Sequence, residues 1–325
     1  MKVYITLFLL GLSVLIKAED AELDYGFIQE NGSVTARSMA MGGSSTAAGW
    51  DYEAAVANPA CLTQIRSKEM HLTWGYRSII DSAWDGNGGN GANGVSENKI
   101  KSIGYIYSFP VIRGSLVAAV GYSRPNDLLY IKSLSNNSGW EEMQSEGHTG
   151  QWTAALGVDV AKNLGIGFTY SHIRGYEDFS RRDVNVELNA NDSYTGHTFS
   201  AGWLYRMHYD LYFGGSVRFA DYISLTNRMS EDSLKDSYYY PYQFPDENGT
   251  FIVPLRLKCA LAYVTTPLTL SLDFGFSSWS GLDYTFEEQS VSNFQKVFKD
   301  QFNGSFGIEW LLPVVPVKVR AGTSY

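Results

Sequence analysis

The stretch LTLSLDFGFS, residues 268–277, alternates apolar side chains with small or polar ones. The apolar set is Leu268, Leu270, Leu272, Phe274 and Phe276. Successive side chains of a β-strand point to opposite faces, so this pattern predicts a strand with one apolar and one polar face. The stretch is also about as long as a tilted strand that crosses a bilayer, which takes about 9–11 residues.

The same alternation recurs from residue 68 onward. It is clear in residues 164–171, 211–219 and 255–263, and further segments begin near Met70, Ser102, Leu116, Trp152, Phe199, Ser305 and Val315. We count about eleven such segments, each close to the length that spans a membrane. The sequence therefore predicts an all-β fold of antiparallel strands.

The connections between these segments are sorted by length. Short turns lie at 110–114, 161–164, 206–210, 265–267 and 312–316, and they alternate with long connections at 79–98, 123–148, 174–194, 220–250 and 278–300. A soluble β-sandwich also alternates apolar and polar residues, but sorted connections are typical of outer-membrane barrels. Aromatic residues at the predicted strand ends, such as Trp74, Trp203 and Trp310, also favour a membrane barrel.

We therefore predict a transmembrane antiparallel β-barrel over residues 67–325, with periplasmic short turns and external long loops. The last segment, Val315–Tyr325, then runs outward after an odd number of strands. Closed bacterial barrels usually have an even number, so we expect the barrel to be truncated at its C-terminal end.

The chain of 325 residues has a net charge of −9 and an isoelectric point near 5.1, which argues against nucleic-acid binding. Lys2 precedes an apolar run from Val3 to Ile16, and this predicts a signal peptide over residues 1–18. The run is too short for a spanning helix, which needs about 20 apolar residues. We therefore expect an exported protein that resides in the outer membrane of a Gram-negative-type bacterium.

The sequence shows no arrangement typical of catalysis. The five histidines are scattered, and neither a phosphate-binding loop nor a G-x-S-x-G motif is present. We therefore expect no enzyme activity, no cofactor and no metal site. Cys61 and Cys259 lie far apart in the chain; packed thiols are favoured over a disulfide, which an oxidising compartment would permit.

A second stretch, ARSMAMGGSSTAAGWDYEAAVANPACL (residues 36–62), fits neither a helix nor a strand. Its small residues are interrupted at Gly42, Gly43 and Pro59, and no period-2 alternation runs through it. A compact segment of this kind suits a plug inside a barrel lumen, where irregular backbone can hydrogen-bond to lumenal side chains. We assign residues 19–66 to such a hatch.

The motif A-R-x-M-A-M-G-G, followed by D-x-x-A-A-x-x-N-P-A-x-L, resembles the N-terminal hatch of the FadL/TodX family of outer-membrane transporters for long-chain fatty acids and other hydrophobic compounds. The matching hatch positions include Arg37, Met41, Gly42, Gly43, Asn58, Pro59 and Ala60. The resemblance implies a fourteen-stranded barrel, of which about eleven strands are present here. It is confined to residues 36–62 and is shared with PorV-type proteins, which serve protein secretion.

The strand register predicts a basic lumen. The candidate substrate-binding residues are Arg77, Arg206, Arg218, Arg256 and Lys258, with Lys318 and Arg320 also inward, against Asp159, Asp273 and Glu309. These charges either orient a substrate carboxylate or solvate the lumen and hold the hatch. Arg256 and Lys258 are the strongest candidates for the carboxylate.

Two long connections carry further patterns. The stretch SYYYPYQFP presents an aromatic cluster that either captures a hydrophobic substrate at the outer surface or packs loop against loop. Its members are Tyr238, Tyr239, Tyr240, Tyr242 and Phe244. Residues 289–302 have apolar side chains at helical spacing and predict a short amphipathic helix.

The leading hypothesis is passive uptake of a hydrophobic small molecule such as a fatty acid, by a barrel surrounded by outer-membrane lipid. The alternative is a secretion-associated or structural barrel with a protein partner. An outer-membrane enzyme is the weakest of the three, since no set of serine, histidine and carboxylate stands out in the sequence.

Overall fold

In the computed structural model, the described residues are 32–84, 90–136, 139–183, 186–233, 242–243, 247–286, 289–290, 299–313 and 315–325. The predicted signal peptide and the first part of the predicted hatch lie outside these ranges. Residues 238–241 and 244 of the aromatic cluster, and 291–298 of the predicted amphipathic helix, lie outside them as well.

The strands belong to one antiparallel sheet in which each strand pairs with its neighbours along the chain. They are β1 (Glu69–Trp84), β2 (Asn90–Ser108), β3 (Leu116–Asp127), β4 (Tyr130–Asn136), β5 (Gly139–Ala161), β6 (Leu164–Asp183), β7 (Val186–His208), β8 (Leu211–Arg218), β9 (Asp221–Ser233), β10 (Tyr242–Gln243), β11 (Glu247–Val253), β12 (Arg256–Val264), β13 (Leu268–Ser277), β14 (Asp283–Phe286), β15 (Gln289–Ser290), β16 (Gln301–Leu311) and β17 (Lys318–Ser324).

Several strands are two halves of one pass through the wall. The pairs β3/β4, β8/β9, β11/β12 and β13/β14 are each interrupted for a few residues and then continue beside the same neighbours. With these halves joined and the two-residue strands β10 and β15 set aside, the described part of the sheet has the eleven passes that the alternation predicts. Within it, β1 pairs only with β2, and β17 only with β16.

The two faces of the sheet differ as the alternation predicts. On β13, Ser271 and Asp273 face inward and are buried, whereas Phe274 is 54% exposed on the outer face. The outward residues of β6 are apolar or aromatic from Leu164 to Tyr170. This outer band is about as long as a tilted strand needs to cross the hydrocarbon layer.

Where the structure describes the long connections, they are largely strand rather than loop, which corrects the sequence prediction. β1 and β2 pair as far as Trp84 and Asn90, so the described end of the glycine-rich stretch at 85–94 belongs to a ladder. β6 and β7 pair as far as Arg182 and Glu187. These extensions alternate among mostly polar residues, and polar strands carry a weaker sequence signal than apolar ones.

The described part of the hatch, residues 32–66, lies inside the sheet and contains three short helices. They are α1 (Ala36–Ala40), α2 (Glu53–Ala57) and a 3₁₀ helix (Pro59–Gln64). Gly42 and Gly43 follow α1 with φ of +65° and +82°, a conformation that favours glycine. Their N–H groups donate to the Met39 and Ser38 carbonyls at 3.1 and 2.9 Å, which ends α1 in a Schellman motif.

Lumen-facing glycines let the barrel wall approach the hatch. A Cβ atom added to Gly157 would lie 2.7 Å from the Pro59 carbonyl oxygen, and one added to Gly167 would overlap the Pro59–Ala60 peptide. Further glycines that contact the hatch are Gly104, Gly121, Gly165, Gly202, Gly214, Gly307 and Gly322. The hatch therefore packs directly on the backbone of several strands.

Cys61 is buried and Cys259 exposed, and both are free thiols. No helix among the described residues combines the length and the apolar character that a membrane span requires. In the same part of the chain, no group of His, Cys, Asp and Glu residues is arranged to hold a metal ion.

The Gly167→Ala variant is expected to loosen the hatch, because the added methyl group overlaps the hatch backbone. Overpacking of this kind costs about 1–3 kcal/mol. The measurement is the thermal unfolding midpoint, followed by heat-modifiable gel mobility in detergent. Gly75→Ala is the matched control, since Gly75 is also a strand glycine but has nothing within 4 Å of an added Cβ. Equal midpoints for the two variants would contradict the packing role of Gly167.

Candidate functional site in the barrel lumen

Asp273 is the main acceptor for the hatch backbone. Its carboxylate accepts the Ser45 and Thr46 backbone N–H groups at 3.0 and 2.8 Å, and the Ser44 hydroxyl at 2.7 Å. All four residues are buried. One carboxylate on β13 thus satisfies three donors of a segment without regular structure, which a buried chain requires.

Asn58, Pro59 and Ala60 form a bend between α2 and the 3₁₀ helix, and this bend lies against the wall. The Asn58 amide donates to the Thr46 carbonyl at 2.7 Å and to the Trp203 carbonyl at 3.1 Å. Its own oxygen accepts the Ala60 N–H at 3.1 Å, which caps the 3₁₀ helix that begins at Pro59. The bend therefore links two parts of the hatch to β7.

Arg37 connects the hatch to β16. Its Nε donates to Glu309 at 3.0 Å, its Nη1 donates to the Ala48 carbonyl at 2.6 Å, and its guanidinium lies 5.0 Å from the Trp50 ring. Lys318 and Arg320 of β17 contact the same carboxylate at 3.2 and 2.6 Å. Three lumenal charges that sequence reasoning offered to a substrate or to the hatch, Glu309, Lys318 and Arg320, are thus used together at the hatch.

Glu53 is a buried carboxyl on α2, 4% exposed. It accepts the Val34 and Thr35 backbone N–H groups at 2.9 and 3.0 Å. Burial raises the pKa of Glu53 to about 7, and nearby Asp51 acts in the same direction. The two backbone N–H groups and the Lys258 ammonium lower this pKa, but burial is the larger effect.

A cavity of about 510 Å³ lies between the hatch and the wall. Met39, Glu53 and Val56 border it from the hatch side, and β8, β12, β13 and β16 border it from the wall side. Its charged lining consists of Glu53, Arg218, Arg256, Lys258 and Asp273. This volume is within the usual range for small-molecule sites.

Three of the five predicted lumenal bases converge on this cavity, and they differ in how firmly they are held. Arg218 and Arg256 approach Asp221 at 2.9 and 3.5 Å, and the Arg256 guanidinium also lies 5.4 Å from the Trp279 ring. Lys258 forms no ion pair within the described part of the chain, although it acts electrostatically on Glu53. A ligand carboxylate can therefore bind Lys258 without first displacing a described ion-pair partner, which Arg218 and Arg256 would require.

The other two predicted bases lie elsewhere. Arg206 contacts Gln64 at 3.4 Å and the Tyr212 ring at 5.3 Å, at the end of the barrel that carries the short turns. Arg77 donates to the Asp127 carbonyl at 3.1 Å on the other side of the lumen. The structure does not bring either of them to the cavity.

A hydrophobic layer lies across the lumen on the outer side of the cavity. It consists of Leu128, Ile173, Tyr194, Ile223, Phe251, Val253, Trp279 and Leu282, all buried. Arg218 and Arg256 border both the cavity and a smaller pocket beneath Ile173, Tyr194 and Ile223, so the layer and the cavity adjoin. Sequence reasoning missed this layer, because each strand or connection contributes only one or two of its residues.

The aromatic cluster of residues 238–244 is described only at Tyr242. The backbone of Tyr242 pairs with Glu231 as part of β10. The capture role of this cluster stays a prediction.

No protein-family model matches the sequence, and no curated protein matches it. Several solved structures match the fold of this chain. A FadL homologue of Pseudomonas aeruginosa matches with a TM-score of 0.63 and 14% identity, over 90% of this chain and 79% of that one. The Pseudomonas putida toluene transporter TodX gives 0.64 and 15%, over 90% and 83%. The monoaromatic hydrocarbon channel CymD gives 0.52 and 13%, over 87% and 80%.

The fold and the lumen together define an antiparallel β-barrel with an N-terminal hatch inside it. More particularly, the barrel and hatch have the FadL/TodX-type fold, as the motif in residues 36–62 predicts. At these identities the match concerns the fold, and the cargo has to be argued from the lumen of this chain.

Glu53 predicts a pH dependence of barrel stability. Its pKa rises from the ordinary value of 4.5 to about 7 in the folded state, so its contribution is fully present below about pH 4.5 and is lost as pH rises through about 7. Between pH 5 and 8 the unfolding midpoint of the wild type should fall by more than that of Glu53→Gln, in which the amide oxygen can still accept the two N–H groups. Glu146→Gln, at an exposed position, is the control and should follow the wild type. Parallel pH profiles for the wild type and Glu53→Gln would show that Glu53 does not titrate in this range.

Proposed function

We propose that this protein is an outer-membrane barrel for the passive uptake of a hydrophobic compound. The observation that carries the proposal is the cavity of about 510 Å³, which adjoins a hydrophobic layer on its outer side and the hatch on its inner side. A compound that enters from outside would meet apolar side chains first and a polar, charged chamber next. Two of the matched structures are a toluene transporter and a monoaromatic hydrocarbon channel, which supports a cargo of this class.

The hatch is held by contacts that can be exchanged. Its anchors are the carboxylates of Asp273 and Glu309, the amide of Asn58, and packing on glycines. Individual hydrogen bonds of this kind contribute about 1–3 kcal/mol each, so a local rearrangement of the hatch costs far less than unfolding of the barrel. Passage would follow such a rearrangement and needs no energy source.

Within this function, we assign the cargo to amphiphilic acids such as long-chain fatty acids. The apolar chain would lie in the hydrophobic layer, and the carboxylate would lie at Lys258. Arg256 was an equal candidate by sequence, but its contacts with Asp221 and Trp279 make it the weaker one. Arg218 is tied to Asp221 in the same way. Capture by the outer aromatic cluster of residues 238–244 is the expected first step of this route.

Lys258→Ala is expected to weaken binding of oleate by about tenfold, since a charge-assisted contact is worth about 1.5–3 kcal/mol. Binding of the neutral alcohol of the same chain length should hardly change. The measurement is equilibrium binding of both radiolabelled ligands to purified protein in detergent. Lys162→Ala removes a lysine from an exposed short turn and is the matched control.

Equal affinity of Lys258→Ala and wild type for oleate would overturn the assignment of the carboxylate site. A similar loss for the acid and the alcohol would indicate a damaged lumen instead. Wild-type protein that binds neither ligand would contradict uptake of such compounds and support the alternative, a secretion-associated barrel. That alternative predicts a protein partner, which co-purification from the native membrane would detect.

A further inference from the structure

An outward-facing row of residues crosses five neighbouring passes at the outer end of the apolar band. The ladders place in it, in order, Tyr122, Trp152, His172, His197 and Tyr222. Two residues further in along β6 and β7, the outer face carries Tyr170 and Phe199; two residues further out, it carries Arg174 and Thr195. Since Trp and Tyr concentrate at membrane–water interfaces, this row marks the outer edge of the hydrocarbon layer.

Four basic side chains meet at this edge, and we call them the outer basic cluster: His148, His172, Arg174 and His197. His172 and His197 are direct partners across β6 and β7, with ring centroids 4.8 Å apart. Arg174 follows His172 by two residues on the same face. His148 pairs with Tyr176 and so lies diagonal to Arg174 on the neighbouring strand. Diagonal neighbours of this type lie about 7–8 Å apart, within reach of one headgroup.

The cluster has donors available on its solvent side. The Tyr170 hydroxyl lies 2.7 Å from Nδ1 of His197. In the tautomer where Nδ1 accepts this proton, Nε2 of His197 carries a hydrogen that it can donate outward. Arg174 is exposed and forms no ion pair with any described residue. Its ladder partner on β5 is Gly150, over which the Tyr122 ring lies.

The surrounding charges favour an anion. Arg124, in the irregular part of β3, and Lys99 are positive charges that act on His148, and the two carboxylates that act on it, Asp127 and Glu97, are paired with Lys99 and Lys101. The nearest carboxylates on the same face of β5 and β6, Glu146 and Asp178, are paired with each other four residues beyond Arg174 on β6. Asp178 also accepts the Asn191 amide at 2.7 Å.

We propose that the outer basic cluster binds the phosphate group of a phosphorylated lipid of the outer leaflet. A guanidinium can hold a phosphate through two parallel hydrogen bonds, and the imidazoles add donors beside it. The Trp152 ring lies in the same row, the rings of Tyr170 and Phe199 lie just below it, and all three would contact the acyl chains. Because the cluster lies at the end of the apolar band, it is at the level of the lipid headgroups, and this favours a lipid headgroup over a dissolved ligand. The proposal rests on outer-membrane placement and does not depend on the cargo of the lumen.

The test uses full-length folded protein in detergent and native mass spectrometry. The probe is bis-phosphorylated lipid A, compared with the same lipid after enzymatic removal of its phosphates. We expect the wild type to retain the phosphorylated lipid, and the double variant Arg174→Ala, His197→Ala to retain it about tenfold more weakly. Arg228→Ala, which removes an exposed arginine from β9 on the same outer face, is the control and should bind as the wild type does.

Equal retention by the double variant and the wild type would overturn the proposal, as would equal retention of the phosphorylated and dephosphorylated lipids. A third arm adds millimolar inorganic phosphate: complete displacement of the lipid would show a site for free phosphate and reject the lipid. Oleate binding to the same samples reports on the lumen separately. Wild-type protein that retains the phosphorylated lipid but does not bind oleate would contradict the proposed cargo and support the lipid site.

Discussion

The hatch has to satisfy the hydrogen bonds of an irregular backbone inside a barrel, and the rest of the structure depends on this constraint. A buried backbone N–H or carbonyl without a partner costs about as much as a lost hydrogen bond, so a lumenal segment needs acceptors placed in advance. Asp273 supplies them for Ser44, Ser45 and Thr46, and Glu53 supplies them within the hatch for Val34 and Thr35. Inward-facing carboxylates in an aqueous pore would only tune its charge; here two of them, Asp273 and Glu309, hold the plug.

The same constraint explains the glycines of the wall. Donor and acceptor meet within about 3 Å only if the hatch backbone approaches the strands closely, and a Cβ atom at Gly157 or Gly202 would prevent this. Glycine weakens a strand by removing a side chain that could pack. The contacts of Asn58 with Thr46 and Trp203 offset this loss, since the hatch fills the space that the missing side chains leave. Hatch and wall thus stabilise each other through these hydrogen bonds and this packing.

How much of this could be predicted from the sequence depends on where the signal lies. Alternation in a stretch such as residues 268–277 is local, so the strands, their faces and the inward position of Arg256 and Lys258 were predictable. The motif around Gly42 and Pro59 predicted a lumenal hatch because it is contiguous.

The polar strand extensions were mistaken for loops, since an antiparallel ladder outside the membrane needs no apolar face. The hydrophobic layer was missed because its members come from six separate strands and connections, and only the register brings them together. The partners of Arg256 were missed for the same reason.

The register also couples the lumen to the outer surface of the barrel. His172, Ile173 and Arg174 are consecutive on β6: Ile173 belongs to the hydrophobic layer inside, and its two neighbours belong to the outer basic cluster. A shift by one residue would exchange the two faces. On the lipid side the penalty for this exchange is small, because charges near the interface cost only about 0–1 kcal/mol. Inside, a guanidinium among apolar side chains would lack a partner, and uncompensated buried charges cost about 3–5 kcal/mol. The lumen rather than the lipid therefore fixes the register at this height, so the position of the outer basic cluster follows from the packing of the hydrophobic layer behind it.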